Sequence, residues 1–535
     1  MGIGRQVRVN FGRQMQYLAR AWSSREALVN RERGRRYTYK EFHLLTNKIA
    51  NMIRDRFRLS RGDAYMNILQ NDNLSLIHVW TVFKGEASCA FTNYRDSIEE
   101  HTWQIDTVKP KLVFLENSFL AAYYEMLQKR RIHIVCMDPP DASAGKLKNV
   151  YYFWDLIKAA SGRETDVEHD MEEDVMQYRF TGGTTGRGKC AMYTIRNWEQ
   201  NRATFLEIED PMTMGLRFLH FGPLSHGAGM FMYPVLFLGG VMVTLNSAAP
   251  EHICEAVEAE QIEYATLVPT MLYRFLEFED FKKYDLSSLR TIYYGAAPMS
   301  PERLLQLQER FGNIFVQVYG STEHLGLAST LSKSSHIMKT DKDRERLGSV
   351  GTVTPGIELK IVNPDGDDKE LPFGQIGEIW MRSSAVIKGY LNSPEETEKE
   401  FHNGWWKSGD IGKMDEDGYV YILDRKKDII NSGGYNVYAA EVEAVIASHP
   451  AVLMSAVVGA PHDEWGETVL AEIQLKAGAK ADEEEIIGFC RERMAKYKVP
   501  KSVVFVNELP ISPAHKVLRR KVREKYWEGR TRGVN

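Results

Sequence analysis

The chain has 535 residues, of which 43% are apolar and 26% are charged, a balance typical of a soluble globular protein with a large core. Its length predicts more than one compact unit. Lysine and arginine number 68 and aspartate and glutamate 72, and the resulting net charge of −4 argues against a nucleic-acid-binding protein. The longest nearly apolar run, Tyr233–Leu245, contains two glycines and is too short for a membrane span.

The cysteines are scattered, odd in number and without the spacing of metal ligands, so the sequence predicts neither a disulfide scaffold nor a zinc module. This usage is typical of a reducing compartment, and we expect a cytoplasmic protein. The N-terminus has no apolar signal core, and Gln6 does not fit a myristoylation signal. The five cysteines are Cys89, Cys136, Cys190, Cys254 and Cys490.

Apolar strand-like runs alternate with amphipathic helical patterns over the first 320 or so residues. Thr38 and Glu41 have the spacing of a capping box and predict the start of a helix. Strands separated by helices predict parallel sheets with both faces covered, and hence an α/β fold. The runs that we interpret as buried strands are Leu112–Phe114, Ile132–Val135, Ile262–Val268, Thr291–Tyr294 and Ile314–Tyr319.

From about Gly348 the pattern changes to short alternating segments separated by glycine, proline and aspartate, which predicts a small, mostly antiparallel β subdomain. After Asp428 a helix around Glu441–Ser448 and a strand at Val452–Val458 predict an α+β unit. We therefore expect a large domain over residues 1–426 and a C-terminal domain over residues 427–535. The segments assigned to the β subdomain are Val350–Val362, Glu378–Met381 and Tyr419–Leu423.

The loop from Thr181 to Lys189 contains four glycines, three threonines and a lysine. Glycines let successive backbone N–H groups converge on an anion, and hydroxyls and an ammonium add donors, so the loop predicts phosphate binding. Its spacing also fits a Walker loop, but Cys190 offers no hydroxyl for Mg²⁺ and Ala191–Thr194 predicts a strand where a Walker loop enters a helix. The residues predicted to bind phosphate are Thr181, Gly182, Gly183, Thr184, Thr185, Gly186 and Lys189.

This loop resembles the T-S-G-T-T-G-x-P-K-G signature of the adenylate-forming superfamily, which includes acyl-CoA synthetases, luciferases and peptide-synthetase adenylation domains. The chain departs from that signature at Gly182, Gly188 and Cys190. Pro223–Gly227 resembles the PLxHxxG segment of the superfamily, whose histidine lies beside the acyl pocket, and His226 occupies that position.

Three further segments follow in the order of the superfamily. Gly295–Pro298 resembles the segment that packs on the adenine, and Tyr319–Glu323 resembles the YGxTE segment, whose glutamate helps to hold Mg²⁺. Trp405–Asp410 resembles W-x-x-T-G-D, whose aspartate accepts hydrogen bonds from the ribose. The resemblance assigns these segments to the nucleotide, together with Arg425 of the D-R-x-K-D segment described next. The assigned residues are Gly295, Ala296, Ala297, Tyr319, Gly320, Ser321, Thr322, Glu323, Asp410 and Arg425.

The last three motifs imply a C-terminal domain that moves. Asp424–Asp428 matches the D-R-x-K-D hinge, with Lys427 as the pivot. Pro510–Arg520 resembles P-x-T-x-S-G-K-[IV]-x-R, with His515 in the glycine position and Lys516 as the catalytic lysine. We interpret the basic residues beyond it as a solvated helix. The loop that lines the pantetheine tunnel of CoA in the superfamily corresponds to Ser432, Gly433, Gly434 and Tyr435.

The resemblance implies an AMP-forming acyl-CoA ligase with a catalytic set of Lys516, Glu323, Thr181 and His226. It would convert a small carboxylic acid and ATP to acyl-AMP and pyrophosphate, with Mg²⁺, and then transfer the acyl group to coenzyme A. Alternatives are a stand-alone adenylation enzyme that loads a carrier protein or forms an amide, a luciferase-like oxygenase, and a nucleotide-binding regulator without catalysis. A monomer and a homodimer remain open.

The acid itself is predicted only by class. Small side chains leave room in the expected acyl pocket, and flat or apolar side chains form its walls, which favours an aromatic, alicyclic or medium-chain acid over acetate. The residues assigned to this pocket are His226, Phe231, Ala296, Tyr319 and Gly320.

Overall fold

A computed structural model describes residues 8–139, 147–181, 188–364, 366, 368–512 and 515–528. Its strands, in chain order, are β1 Arg8–Val9, β2 Glu26–Asn30, β3 Arg35–Thr38, β4 Ala64–Ile68, β5 Ser88–Phe91, β6 Leu112–Leu115, β7 His133–Cys136, β8 Val150–Tyr152, β9 His169–Asp170, β10 Val175–Phe180, β11 Cys190–Thr194, β12 Arg217–His220, β13 Val241–Thr244, β14 Tyr264–Leu267, β15 Thr291–Gly295, β16 Phe315–Tyr319, β17 Ser329–Leu331, β18 Thr352–Val353, β19 Glu358–Val362, β20 Gly377–Arg382, β21 Phe401–His402, β22 Trp405–Met414, β23 Val420–Arg425, β24 Ile430–Ser432, β25 Tyr435–Val437, β26 Val452–His462, β27 Gly466–Leu475 and β28 Ser502–Phe505.

The α-helices of the described residues follow the same convention. They are α1 Phe11–Ala21, α2 Tyr39–Asp55, α3 Ile77–Thr81, α4 Ile98–Val108, α5 Leu120–Lys129, α6 Phe153–Ala159, α7 Ile195–Leu206, α8 Met232–Phe237, α9 Pro250–Glu260, α10 Pro269–Glu277, α11 Pro301–Phe311, α12 Asp341–Arg346, α13 Pro394–Glu400, α14 Ala439–Ala447, α15 Glu483–Arg491 and α16 Arg519–Tyr526.

Two large sheets form the N-terminal part of the fold. The first has the strand order β11-β10-β5-β4-β6-β7-β8, and only its β10–β11 pair is antiparallel. The second has the order β18-β17-β16-β15-β14-β12-β13-β2-β3, in which the six strands from β16 to β2 are parallel. Because parallel neighbours need crossovers, helices cover these sheets, as the alternating sequence pattern predicts.

One large apolar core lies between the two sheets, and smaller cores lie on their outer faces. Alternation along β15 shows this division, since Tyr293 faces the shared core whereas Ile292 and Tyr294 face the outer one. The predicted helix start at Thr38 is confirmed: its side chain and that of Glu41 form a capping box.

Two smaller sheets complete the fold. The first has the antiparallel order β19-β20-β22-β21, with β23 also paired to β22, which confirms the predicted β subdomain. The short 3₁₀ turn Lys426–Asp428 connects it to a sheet of order β25-β24-β27-β26, with β28 paired to β27. We call residues 430–528 the C-terminal unit and the preceding residues the N-terminal unit. Among the described residues, no helix is both long enough and apolar enough to cross a membrane.

The cysteines are all buried and free of disulfide bonds. Burial raises the pKa of each thiol, to about 11 for Cys136 and Cys490 and to about 12 for Cys254. Such groups are poor nucleophiles at neutral pH, because the reactive species is the thiolate.

Gly351, which precedes β18, provides a test of the close backbone packing between β17 and β18 at the edge of the second sheet. It has a φ of +82°, and a Cβ there would lie 1.9 Å from the carbonyl oxygen of Thr330. We predict that Gly351→Ala destabilises the protein by at least about 2 kcal/mol, measured as a lower thermal unfolding midpoint. Gly374→Ala is the matched control: its φ is +81° with nothing within 4 Å, so backbone strain alone should cost about 1 kcal/mol. Equal midpoints for the two variants would contradict the prediction.

Candidate functional site

The predicted site residues follow the carboxyl ends of parallel strands. Thr181 comes directly after β10, the segment with His226 follows β12, Ala296 follows β15, and Gly320 follows β16. The carboxyl ends of parallel strands are where open α/β sheets bind ligands, because the loops there are free of sheet hydrogen bonds. The fold therefore collects, at adjoining sheet edges, segments that are far apart in the sequence.

Asp410 is the centre of one group of contacts. The Tyr319 hydroxyl donates a 2.6 Å hydrogen bond to one of its carboxylate oxygens, and the Arg425 guanidinium lies 2.8 Å from the other. The Asp410 carboxylate is nearly fully buried and raises the pKa of Arg425, while burial, with the Asp410 charge as the second cause, raises the pKa of Tyr319. The group joins β16 of the second sheet to β22 and β23 of the β subdomain.

Glu323 belongs to a second group, which includes a tyrosine that no motif predicted. The Tyr390 hydroxyl lies 3.0 Å from the Glu323 carboxylate and 2.5 Å from that of Glu400. Burial raises the pKa of Glu323, while the hydrogen bond from Tyr390 opposes this shift. Two carboxylates therefore converge on one hydroxyl beside the predicted phosphate loop.

Lys189 is held by the same group. Its ammonium pairs with Glu400 and, at 2.9 Å, with Glu396, and it lies 4.8 Å from the centre of the Tyr390 ring. The Lys189 backbone N–H donates to the Thr181 hydroxyl at 2.9 Å, which fixes both ends of the predicted loop. A phosphate group approaching Lys189 must compete with two glutamates. The loop residues Gly182, Gly183, Thr184, Thr185 and Gly186 lie outside the described residues.

Backbone packing and turn geometry also explain the small residues at the positions assigned to the nucleotide. A Cβ on Gly295 would lie 2.0 Å from the Val318 carbonyl oxygen, and one on Gly320 would lie 2.5 Å from that of Gly326. Gly320 is thus required by close backbone packing, a constraint that the sequence interpretation of pocket space omitted. Ala296 has a φ of +65°, an uncommon conformation for alanine that turns the chain at the end of β15. Ser321 caps the next turn, since its hydroxyl accepts hydrogen bonds from the N–H groups of Glu323 and His324.

His226 is partly buried at the start of a short 3₁₀ turn, with its Nδ1 2.9 Å from the Ser225 hydroxyl. Burial lowers the pKa of His226 to about 4, and the positive charge of Lys516 contributes to the shift, so the imidazole is neutral at pH 7. Phe231 is packed among the rings of Phe205, Phe218 and Tyr293, with centroids 5.0–5.3 Å away.

Arg179, on β10, was not identified from the sequence as a site residue. Its guanidinium is almost fully buried within 5.3–5.7 Å of three aromatic rings, Phe91, Tyr193 and Trp198. It donates a 3.3 Å hydrogen bond to the His226 carbonyl oxygen, which connects the strand before the phosphate loop to the His226 segment.

Lys516 approaches this site from the C-terminal unit. Its side chain is reached by solvent, yet the protein around it lowers its pKa to about 8 through desolvation, with the positive charge of Arg425 as a second cause and Asp410 opposing. Because Lys516 also affects the His226 pKa, the four groups Lys516, Asp410, Arg425 and His226 share one electrostatic neighbourhood.

His515 takes the left-handed conformation, with a φ of +60°, as its glycine position in the family pattern suggests. Its backbone N–H donates to the Ser512 carbonyl at 2.8 Å, and Ser512 donates to the Lys516 carbonyl at 2.7 Å. These bonds hold the backbone of His515 and Lys516 against Ser512. The residues between Ser512 and His515 are outside the described ranges.

The segment Ser432–Tyr435 is a hairpin turn in the C-terminal unit. Gly433 and Gly434 both have positive φ, and the Gly433 N–H donates to the Trp465 carbonyl at 3.0 Å. The exposed Tyr435 ring stacks on Tyr497 at 4.9 Å. These contacts are all within the C-terminal unit. Lys427 lies in the connecting 3₁₀ turn, where burial lowers its pKa to about 8.

The interpretation of the basic residues beyond Arg520 as a solvated helix is wrong for Arg523, whose side chain is only 17% exposed. Arg519, at the start of α16, is 15% exposed and forms ion pairs with Asp424 at 2.7 Å and with Glu443. Arg523 pairs with Asp428 at 3.2 Å. The alternation of charges predicted side chains exposed to solvent, but these arginines form ion pairs with the connecting segment and with α14.

Magnesium fits this site only with ligands from another molecule. Within the described ranges, no group of three or more histidine, cysteine, aspartate or glutamate side chains could hold a metal ion. Glu323 and Glu400 supply the hard carboxylate oxygens that Mg²⁺ prefers, and phosphate oxygens and water would have to complete its octahedral shell.

Comparisons with known proteins agree with this geometry. A family model described as "AMP-binding enzyme" matches residues 15–391, and one described as "AMP-binding enzyme C-terminal domain" matches residues 441–516. The medium/long-chain-fatty-acid–CoA ligase FadD8 of Mycobacterium tuberculosis is 38% identical over 80% of this chain and 74% of that protein. A feruloyl-CoA synthase of Amycolatopsis is 36% identical over 69% and 73% of the two chains.

A solved structure is similar over nearly the whole chain. The crystal structure of ATP-bound MatB from Rhodopseudomonas palustris superposes with a TM-score of 0.83 at 27% identity, covering 96% of this chain and 99% of that one.

The lowered pKa of Lys516 gives a direct prediction. An amine reacts with an acylating reagent only when it is neutral, so Lys516 should reach half of its maximal labelling rate near pH 8. Peptide-resolved mass spectrometry after brief labelling across a pH series would measure this. Lys283, whose pKa is raised by its pairing with Asp280, is the control and should label only at higher pH. Asp410→Asn should move the Lys516 midpoint further down, because the Asp410 charge favours the ammonium; a wild-type midpoint above pH 10 would contradict the assignment.

Proposed function

We propose that this chain, which belongs to the AMP-binding enzyme family and is an acid–thiol ligase of the AMP-forming acyl-CoA synthetase type, activates an aromatic, alicyclic or medium-chain carboxylic acid with ATP and transfers it to coenzyme A. The observation that carries the proposal is the position of Lys516 against the N-terminal unit: the Thr270 hydroxyl donates a 2.6 Å hydrogen bond to the carbonyl oxygen of the preceding His515, and the charges of Arg425 and Asp410 act on the Lys516 pKa. This brings a lysine of the C-terminal unit to a site built by the N-terminal one.

The first step must join two anions. A carboxylate oxygen attacks the α-phosphorus of ATP, which forms acyl-AMP as pyrophosphate leaves. Lys516 would lie between the carboxylate and the α-phosphate and reduce their repulsion, the main electrostatic barrier. Lys189 would exchange Glu396 and Glu400 for a phosphate. Magnesium, held by Glu323 and the phosphates, would draw charge toward the leaving pyrophosphate.

The contacts of Asp410 support its assignment to the ribose. A carboxylate with both oxygens fixed by Tyr319 and Arg425 is rigid, and it can still accept hydrogen bonds through its remaining lone pairs. Ribose hydroxyls are suitable donors. The neutral imidazole of His226 would border the acyl group without adding charge next to the carboxylate.

We also propose that the acyl transfer uses a second orientation of the C-terminal unit. The Ser432–Tyr435 turn is assigned to the thiol arm of CoA, and its contacts with Trp465 and Tyr497 are with residues of the C-terminal unit itself. The proposed domain boundary lies between residues 426 and 427. Rotation of the C-terminal domain about Lys427 would withdraw Lys516 from the site and bring this turn to acyl-AMP. Glycines with positive φ leave room there for a thin thiol arm.

The relatives support the proposed substrate class without choosing a member of it. One is a medium/long-chain-fatty-acid–CoA ligase and another a feruloyl-CoA synthase, so the same family accepts aliphatic and aromatic acids. The alternative acceptors from the sequence analysis are a carrier protein and an amine. A cytoplasmic location and the oligomeric state stay predictions from the sequence.

The test is ATP consumption with a panel of acids, including benzoate, cyclohexane carboxylate, hexanoate and acetate, with and without CoA. We expect AMP and pyrophosphate as products, a CoA-dependent thioester, and greater rates with the three larger acids than with acetate. Production of ADP, or an adenylate that never passes to CoA, would contradict the proposed reaction.

The division of labour between the two steps is tested by Lys516→Ala. We predict that formation of acyl-AMP, followed by pyrophosphate–ATP exchange, falls roughly 10²–10³-fold, because one preorganised charge is lost. Transfer from supplied acyl-AMP to CoA should be largely retained. Lys521→Ala, which removes an exposed lysine five residues later, is the matched control and should leave both steps unchanged. An equal loss of both steps in Lys516→Ala would show that the assignment is wrong.

A further inference from the structure

Apart from the ion pairs of Arg519 and Arg523 with the connecting segment, two sets of contacts join the C-terminal unit to the N-terminal unit. The first set, which we call the helix anchor, joins Glu277 and Arg303 to the end of α14 and to Lys476. The second, the loop anchor, joins Thr270 and Arg95 to His515. The residues that the N-terminal unit contributes to the two sets lie outside the motifs that carry the family resemblance, on α10, on α11 or in the segment after β5.

The helix anchor is centred on a buried arginine. The Arg303 side chain is 4% exposed, and its guanidinium donates to the carbonyl oxygens of Ala447 at 3.2 Å and Val452 at 2.5 Å. The last carbonyls of a helix lack partners within the helix and carry partial negative charge, so a guanidinium is a favourable cap. Lys476 adds an ion pair with Glu277 at 3.0 Å.

The loop anchor lies directly beside the catalytic lysine candidate. The Thr270 hydroxyl, on the first turn of α10, donates a 2.6 Å hydrogen bond to the His515 carbonyl oxygen. A guanidinium nitrogen of Arg95 lies 3.5 Å from His515 Nε2, while its other terminal nitrogen donates to the Asn246 carbonyl at 2.6 Å. The left-handed backbone at His515 directs its carbonyl to Thr270 and its side chain to Arg95.

We infer that Arg303 and Thr270 are positioning residues that hold the C-terminal unit in the orientation in which Lys516 faces Asp410 and His226. The inference rests on the proposed function for its effect on the reaction. Contacts across two units that are joined by a hinge stabilise only the orientation in which they form, so they shift the balance between orientations toward that one.

Arg303 has a further physical reason to favour this orientation. Withdrawal of α14 would leave its guanidinium without the two carbonyl acceptors and would leave those carbonyls without their donor. Water can replace both, but the paired, buried arrangement has its hydrogen bonds already oriented. The anchors thus favour adenylate formation at the expense of the orientation proposed for acyl transfer.

The test compares the two half-reactions in Arg303→Met and Thr270→Val. We expect acyl-AMP formation to fall roughly 10-fold in Arg303→Met, which removes two hydrogen bonds from a charged donor, and about 3- to 5-fold in Thr270→Val. Transfer from supplied acyl-AMP to CoA should be unchanged or faster. Arg303→Lys should recover part of the loss, because an ammonium can still donate to one of the carbonyls.

Arg310→Met is the matched control. Arg310 is on the same helix, α11, and it donates to the carbonyl oxygens of Phe275 and Phe278, both within the N-terminal unit. Its loss should reduce stability without changing the ratio of the two half-reaction rates. A fall of both half-reactions by the same factor in Arg303→Met, or a change of the ratio in Arg310→Met, would overturn the inference.

Hydrogen exchange provides a readout that does not depend on activity. In Arg303→Met, peptides covering Ala447–Val452 should exchange faster than in the wild type, and so should the peptide containing His515 and Lys516, which Arg303 does not touch. Arg310→Met should leave both unchanged. Unchanged exchange at His515 and Lys516 in Arg303→Met would refute the positioning role even if no acid were found to react. Inactivity of the wild type with every acid, together with the expected exchange, would refute the proposed function alone.

Discussion

The carboxylate of Asp410, fixed by Tyr319 and Arg425, is the contact on which the arrangement of the site depends. It joins the second sheet, through Tyr319 at the end of β16, to two strands of the β subdomain, through Asp410 on β22 and Arg425 at the end of β23. A buried carboxylate is stable only with such partners, because desolvation without them is costly. The same interaction therefore secures the junction and leaves a rigid acceptor at its centre.

Repulsion between neighbouring cations explains the other charged contacts around the site. Several cations are brought close together, and each is either desolvated or paired: Lys516 and Lys427 have lowered pKa values, while Lys189 is held by two glutamates. Arg519 pairs with Asp424 and Glu443 just behind the hinge segment. Positive charge is thus concentrated where phosphates are expected to bind, and neighbouring carboxylates limit its repulsion.

Much of this could be predicted from the sequence, for identifiable reasons. Parallel strands of the two large sheets are continuous apolar runs, and the change to short alternating segments correctly located the β subdomain. The Walker alternative was excluded because Cys190–Thr194 is a strand and the helix begins only at Ile195, as the structure confirms. Motif order also indicated Asp410, Arg425 and Lys516 as neighbours in space.

What the sequence could not supply were partners without a motif. Tyr390, Glu396 and Glu400 are unremarkable in the sequence, and only the pairing of Cys190 with the Tyr390 segment brings them to Lys189. Arg303 and Thr270 gain significance through contacts with a unit that follows much later in the chain. Gly320 was assigned to pocket space, whereas its closest constraint is a backbone carbonyl. These contacts depend on distances in the folded protein, which the periodicity of the sequence does not encode.

The burial of every cysteine has a practical consequence. An Ellman-type disulfide reagent, which releases a coloured product when it reacts with thiolates, should react very little with the folded protein. The free CoA that remains in samples withdrawn during the reaction could then be measured by absorbance at neutral pH with almost no background from the protein. A sudden rise in that background would also report unfolding, because the five thiols emerge only when the cores open.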